Sequence, residues 1–347
     1  MTRRRTVIAG AGQWARNWAK VLAACSDVEI VGWVDIVEGL AADAAEQRGL
    51  TSIFTGTNVS DAIAAAQPDL VMVLTSPSTH HEVAIEALGR GVPVLCEKPM
   101  ADSMEHAQDM VAASERVGCL LAISQQRRYN THVETIRKLI AEHIGSPSIL
   151  NSDFYIAHPQ APFLTGAPSP LLLDMAIHTF DVARYMSSSD PVSVWCDDFS
   201  TPWSWFNGND SATAHFEMTG GLRYTYRGSW TSGAFNTAWE AEWRAIGPAG
   251  TIVWDGETRP KAEVIEHAGT ARAEKRRVSV DVEENVYTGL DASIRDFLRA
   301  LDTGEPPRGE CHDNIKSLSM VFGAIESAST GRRITIDPAE WSSPSER

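Results

Sequence analysis

The chain reads as an α/β protein: a doubly wound parallel sheet, then an α+β domain built on a large, mostly antiparallel open sheet. Two observations predict this. Up to about residue 125, short apolar runs alternate with helical patterns, and strand–helix–strand repetition builds a parallel sheet covered on both faces. From Pro191 to about Val280, consecutive strand-like segments follow one another with turns at Asn207-Gly-Asn and Gly220-Gly. A length of 347 residues exceeds one ordinary core. Residues 1–125 and 126–347 are therefore assigned to separate domains.

In order, Thr6–Ala9, Val28–Val34, Leu70–Leu74, Val92–Cys96 and Leu120–Ile123 have the continuous apolar character of buried strands. Trp14–Ala24, Leu40–Arg48, Val59–Ala66, His80–Leu88 and Ser103–Val117 carry helical spacing, with glycines closing helices at Gly49, Gly91 and Gly118. The pattern changes near Ser124–Arg128. A helix over Thr131–His143 leads to Gly145-Ser-Pro and a strand. The proline-rich loop His158–Pro170 then bounds a helix over Leu171–Met186. Helices near Asp291–Leu301 and Asn314–Ser327 precede a last strand, Arg333–Ile336.

Composition narrows the function classes. The 45 acidic against 30 basic residues give a net charge of -15, which argues against nucleic acid or an anionic membrane as partner. Five scattered cysteines (Cys25, Cys96, Cys119, Cys196, Cys311) show no zinc or redox-dithiol spacing, so no metal is expected and a reduced, cytoplasmic setting fits best. Arg3-Arg4-Arg5 is followed by too short an apolar stretch for an export signal, and no segment is long enough to span a bilayer.

The first strand ends in Gly10-Ala-Gly12-Gln13-Trp14-Ala15, a G-x-G-x-x-A turn that opens a helix. In such a turn the first glycine permits the bend, the second lets a pyrophosphate approach the helix N-terminus, and the alanine keeps helix and strand close. Asp35 stands about twenty residues on, at the end of the second strand, where a carboxylate accepts ribose hydroxyls and repels a 2′-phosphate. The domain is read as a Rossmann unit holding NAD, with NADP less favoured. Thr75-Ser76-Pro77, with His80 beyond, follows Leu70–Leu74 on the side where such sheets bind ligands; Ser78 or Thr79 could equally cap the helix there.

Two further elements carry chemistry. Cys96-Glu97-Lys98-Pro99 follows a strand on the ligand side, where Lys98 can reach a reacting hydroxyl and Glu97 offsets its charge. Asp174 and His178, four apart in a helix, share a face, and histidine suits taking a proton from an alcohol. Arg127 and Tyr155 are candidate substrate contacts, and His158 a candidate pocket wall. Arg127 and Arg128 have structural ion pairs as an alternative. Trp203, Trp205, Phe206, Trp230, Trp239 and Trp243 could stack on sugar rings, although a core or subunit interface explains them better.

With these residues in this order, the sequence resembles the glucose–fructose oxidoreductase/inositol dehydrogenase/MocA (Gfo/Idh/MocA) family over nearly its whole length. The resemblance rests on Gly10-x-Gly12-x-x-Ala15, Thr79-His80, Glu97-Lys98-Pro99 and Asp174-x-x-x-His178-x-x-Asp181. Gln126-Arg-Arg-Tyr129 and Gly250-Thr-Ile-Val-Trp-Asp-Gly256 add weaker support. Ala176 departs from the glycine often found there. The resemblance implies NAD(P)-dependent oxidation of a ring hydroxyl on a sugar or cyclitol, or the reverse reduction. It makes Lys98 and His178 the catalytic pair, Asp174 a residue that binds substrate or orients His178, and Pro99 the partner of a cis peptide. A NAD-dependent glycoside hydrolase and a non-catalytic cofactor sensor of the same fold are the rival readings; a retained acid–base set counts against the sensor. A homo-oligomer, dimer or tetramer, through the second domain's sheet is expected.

Overall fold

The computed structural model describes residues 3–159, 166–266, 274–282 and 286–341. Its contacts divide the chain into two compact units. The first holds Met1–Gln126, Tyr287–Ile315 and Pro338–Arg347, and the second Arg127–Val286 and Lys316–Asp337.

The first unit runs β1 (Arg4–Ala9), α1 (Gln13–Ala24), β2 (Val28–Val34), α2 (Leu40–Glu46), β3 (Phe54–Gly56), α3 (Val59–Ala66), β4 (Leu70–Val73), α4 (Pro77–Gly89), β5 (Val94–Cys96), α5 (Met104–Val117) and β6 (Leu121–Ile123). The six strands are all parallel, in the order β3-β2-β1-β4-β5-β6. Strands buried on both faces need apolar runs without alternation, and β4, β5 and β6 are buried at every residue. The order reverses between β1 and β4, which creates the crevice where such sheets bind ligands. The three-residue β3 was not foreseen from the sequence.

The assignment of everything after residue 125 to a second domain does not describe α8 (Gly289–Thr303). Its Ile294, Phe297 and Leu298 share one core cluster with Ile8, Trp18, Leu22 and Trp33. The amphipathic stripe of α8 announces a buried face but not which core receives it.

The second unit begins with a 3₁₀ turn (Gln126–Tyr129) and α6 (Thr131–Leu139), continued by a π-helical turn (Ile140–Ile144). Its strands are β7 (Ile149–Tyr155), β8 (Pro191–Phe199), β9 (Ser211–Met218), β10 (Arg223–Ser229), β11 (Glu242–Gly247), β12 (Gly250–Trp254), β13 (Lys261–Glu266) and β14 (Glu274–Val278). With β15 (Ile334–Thr335) they form a nine-stranded sheet, β14-β13-β12-β11-β7-β10-β9-β8-β15, antiparallel except where β7 meets β10. One edge, β14, is Glu-Lys-Arg-Arg-Val and mostly exposed, a charged edge that discourages further strand pairing.

On β7, Leu150, Ser152 and Phe154 are buried while the alternate residues are more exposed, as strand period dictates. The predicted helix over Leu171–Met186 is a π-helical segment, Leu171–Ala176, followed by α7 (Ile177–Ser187). The last helix, α9 (Cys311–Thr330), runs through the boundary between the units. Among the described residues, no helix is long and apolar enough to cross a membrane. All five cysteines are free and buried.

Candidate active site

In the first unit the predicted cofactor residues gather at the carboxyl ends of β1, β2, β4 and β5. Gly10 has φ +103°, and a Cβ there would lie 2.5 Å from the Leu74 carbonyl oxygen, so only glycine fits. The Gly10 carbonyl is fixed by the Trp33 indole N–H at 2.7 Å. Gly12 differs: a Cβ built on it meets nothing within 4 Å, so the space beside it is open. Helix α1 starts at Gly12 without a side-chain cap or an acidic residue in its first turn, which leaves its amides to an anion. Gln13 and Trp14 are exposed beside the turn, while Ala15 is fully buried against the sheet. The Asp35 carboxylate accepts from the Ala11 N–H at 2.6 Å and the Val37 N–H at 2.9 Å, which holds it at the mouth of the turn. These features fit a dinucleotide: an open glycine cradle for the pyrophosphate and a fixed carboxylate for the ribose.

The two glycines should therefore fail differently. Gly10→Ala is expected to lower the thermal midpoint. Gly12→Val should leave the fold standing and weaken NAD binding by about tenfold or more. Quenching of tryptophan fluorescence against NAD concentration separates the two, and unchanged affinity in Gly12→Val would contradict this role for the turn.

Thr75, Ser76 and Pro77 sit where β4 passes into α4. Pro77, not His80, is the first helical residue, and neither Ser78 nor Thr79 is a cap; the Thr79 hydroxyl donates back to the Ser76 carbonyl at 3.0 Å. His80 was expected to touch the cofactor. It is 1% exposed, its Nδ1 2.8 Å from the Pro99 carbonyl oxygen and its Nε2 3.1 Å from that of Thr75. Burial lowers its pKa, hydrogen bonding to the two carbonyls opposes that shift, and the ring lies between the turn after β4 and the peptide after β5.

Glu97 is likewise taken up by protein: its carboxylate accepts from the Trp18 indole at 2.7 Å and the Lys98 N–H at 3.1 Å. Burial raises its pKa, opposed by hydrogen bonds from Trp14 and Trp18 and by the Lys98 charge. It braces the backbone of Lys98. Trp18 was missed; it is fully buried on the inner face of α1, four residues after the exposed Trp14. Lys98 is half-buried and joined to Pro99 by the cis peptide that the resemblance implies.

In the second unit, Asp174 lies in the π-helical segment and His178 in the first turn of α7. π-helical turns inside α-helices are frequent at functional sites. His178 is 6% exposed and Asp174 half-buried. Arg127 approaches the same segment: its Nη2 is 3.4 Å from Met175 Sδ, its Nε 3.7 Å from Glu240 Oε2, and it feels the charge of Asp174. Burial lowers the Arg127 pKa, while Glu240, Tyr226 and Asp174 oppose that shift. Glu240 carries no sequence signal, because only the tertiary fold brings it to Arg127.

Tyr155 reaches this group only through Tyr226, on which both it and Arg127 act. Strand alternation turns it away from Phe154, and its hydroxyl feels Asp153 and Arg227. His158 packs with Trp230 (ring centroids 5.2 Å) and Trp239 (5.8 Å). Of the aromatic residues, Trp230, Trp243 and Phe206 are buried, whereas Trp203, Trp205 and Trp239 are exposed. Arg128 is structural: Nε and Nη2 donate to Asp181 at 2.7 and 2.5 Å, and Ser317 Oγ donates to the same carboxylate at 2.7 Å.

A glycine-turn parallel sheet, followed by a large mixed sheet, is the architecture of a dinucleotide-binding oxidoreductase. The profile for an oxidoreductase family with an NAD-binding Rossmann fold matches residues 4–125, and that for the GFO/IDH/MocA C-terminal domain matches residues 133–253. The chain belongs to the Gfo/Idh/MocA family of NAD-binding oxidoreductases. It is 28% identical to the rhizopine catabolism protein MocA of Rhizobium meliloti over 329 residues, covering 94% of this chain and 95% of that protein. It is 25% identical to inositol 2-dehydrogenase of Streptomyces avermitilis over 312 residues, 86% of each chain. The fold also matches an oxidoreductase of Agrobacterium radiobacter solved with NAD+, L-tartaric acid and magnesium, with TM-score 0.84, 20% identity and coverage of 96% and 99%.

Proposed function

We propose that this protein oxidises a ring hydroxyl of a sugar or cyclitol, or reduces the matching ketone, with His178 as general acid/base and Lys98 as its partner. The observation that carries the reading is the placement of Lys98 directly after β5, its N–H held by Glu97, in the same sheet whose β1 and β2 end at Gly10 and Asp35. The naming of relatives as inositol 2-dehydrogenase and D-apiose dehydrogenase supports the substrate class.

NAD, when bound, supplies the two-electron hydride acceptor. Gly10, Gly12 and Ala15 seat it with Gln13 and Trp14 alongside, Asp35 takes the ribose, and Thr75, Ser76 and Pro77 border the crevice. The hydroxyl proton goes to His178, whose imidazole works near neutral pH. The Lys98 ammonium offsets negative charge developing on that oxygen. Asp174 binds a neighbouring hydroxyl or orients His178, and Arg127, paired with Glu240, fixes the segment that carries Asp174. The assembly is a dimer or tetramer formed through the second unit's sheet.

The test is NADH formation over a panel of inositols, aldoses and polyols. At least one is expected to reduce NAD. NAD recycled while a glycoside is cut would replace this reading with the hydrolase, and NAD binding without turnover would replace it with the sensor.

A further inference from the structure

Away from the crevice, the first unit gathers four chemically active side chains where α5 ends and α9 begins. Glu310 Oε1 lies 3.0 Å from Cys311 Sγ and 2.6 Å from His312 Nδ1, and Sγ and Nδ1 are 3.5 Å apart. These are the only three such ligand residues that converge on one point among the described residues. On the far side of the imidazole, Nε2 is 2.8 Å from Glu115 Oε1. We propose that Glu310, Cys311 and His312 form a zinc site, with Glu115 as the carboxylate that orients the histidine.

Three observations carry this. The first is donor chemistry and spacing. Zinc takes thiolate at about 2.3 Å and imidazole or carboxylate at about 2.0–2.2 Å, so tetrahedral ligand atoms stand roughly 3.3–3.6 Å apart. The S–N edge of the triangle already has that length, whereas the O–S edge must open by about 0.5 Å and the O–N edge by about 0.7 Å.

The second is the outer contact. A metal-bound histidine gives its other N–H to a carboxylate, which fixes the tautomer. Glu115 takes Nε2 in that way, which directs Nδ1 into the triangle. There Nδ1 and Sγ–H both turn towards one oxygen, Glu310 Oε1. A divalent cation replaces two protons at a single point: on binding, Sγ loses one, Nδ1 loses the one it shares with Oε1, and the ion accepts a lone pair from each ligand.

The third is backbone rigidity. The Gly309 carbonyl accepts the Ile123 N–H at 2.7 Å, and a Cβ on Gly309 would meet the Ile123 carbonyl oxygen at 2.0 Å. The residue before the ligands is therefore pressed against the edge strand β6. The Glu310 carbonyl opens the first turn of α9 by accepting from Asn314 N–H at 2.9 Å, and Glu310 Oε2 accepts the His312 N–H at 2.9 Å. Cys311 is fully buried while the His312 side chain is 47% exposed, so the triangle is closed on the protein side and open to water on the other. Such a site would clip the last turn of α5 to the first turn of α9.

Cobalt(II) titrated into the reduced, chelator-treated full-length protein tests this. The expected result is one equivalent bound, with a thiolate-to-cobalt charge-transfer band in the near ultraviolet, displacement of cobalt by zinc, and release of about two protons per ion. Cys311→Ser should abolish the band. His312→Ala, an exposed change that spares the fold, should weaken binding at least tenfold. Glu115→Gln should keep the spectrum and weaken binding by about 10–100-fold. No band in the wild-type protein, or equal binding in His312→Ala, overturns the proposal and leaves a hydrogen-bonded helix cap.

Discussion

Replacing His178 with alanine is expected to lower turnover about a hundredfold or more while leaving NAD affinity largely intact. The reason lies in what the side chain does. An alcohol gives up hydride only as its proton leaves, and a positioned base supplies that acceptance in the transition state. His178 sits in the first turn of α7, 6% exposed, so its ring is held rather than free in solvent. The glycine turn and Asp35 belong to the other unit and do not depend on it. Steady-state kinetics with the substrate found by the NADH panel, together with fluorescence titration of NAD, measure both halves. Unchanged turnover sinks the assignment of His178.

Arg128→Ala is expected to cost about 3–5 kcal/mol of stability. Arg128 and Asp181 are 4% and 1% exposed at their side chains and share two hydrogen bonds. Truncating the arginine leaves a buried carboxylate with the Ser317 hydroxyl in place of a full guanidinium fork. In a chain of this size the loss should lower the thermal midpoint by roughly 4–7 °C. The double change Arg128→Met with Asp181→Leu removes both charges and should recover most of it, because the desolvated carboxylate is gone as well. Thermal unfolding of the three variants decides the matter. An Arg128→Ala protein as stable as wild type would show that the pair contributes nothing.

Much of the frame was legible because it is written locally. Buried parallel strands declare themselves as apolar runs, and the glycine turn with Asp35 is a short-range motif whose parts have separate steric reasons. The places where the sequence misled are tertiary. The face of α8 that joins the Ile8–Trp33 core is an ordinary amphipathic stripe, and three residues of β3 are too few to show a pattern. A 3.6-residue period fits Leu171–Met186 well enough to hide the π-helical turn that carries Asp174.

Among the site residues, His80 and Glu97 look like ligand contacts because of where they stand in the chain. Burial also makes them braces for the backbone around Lys98, which position in the chain alone does not show. Glu240 and the Glu115–His312 contact were out of reach, since nothing along the chain links residues so far apart.

The central claim is direct hydride transfer to NAD from the carbon bearing the hydroxyl. The most direct measurement uses a substrate deuterated at that carbon, with NADH analysed for deuterium by mass spectrometry. The account predicts one deuterium in the NADH formed. NADH without label, or deuterium appearing in solvent while no NADH accumulates, would contradict it.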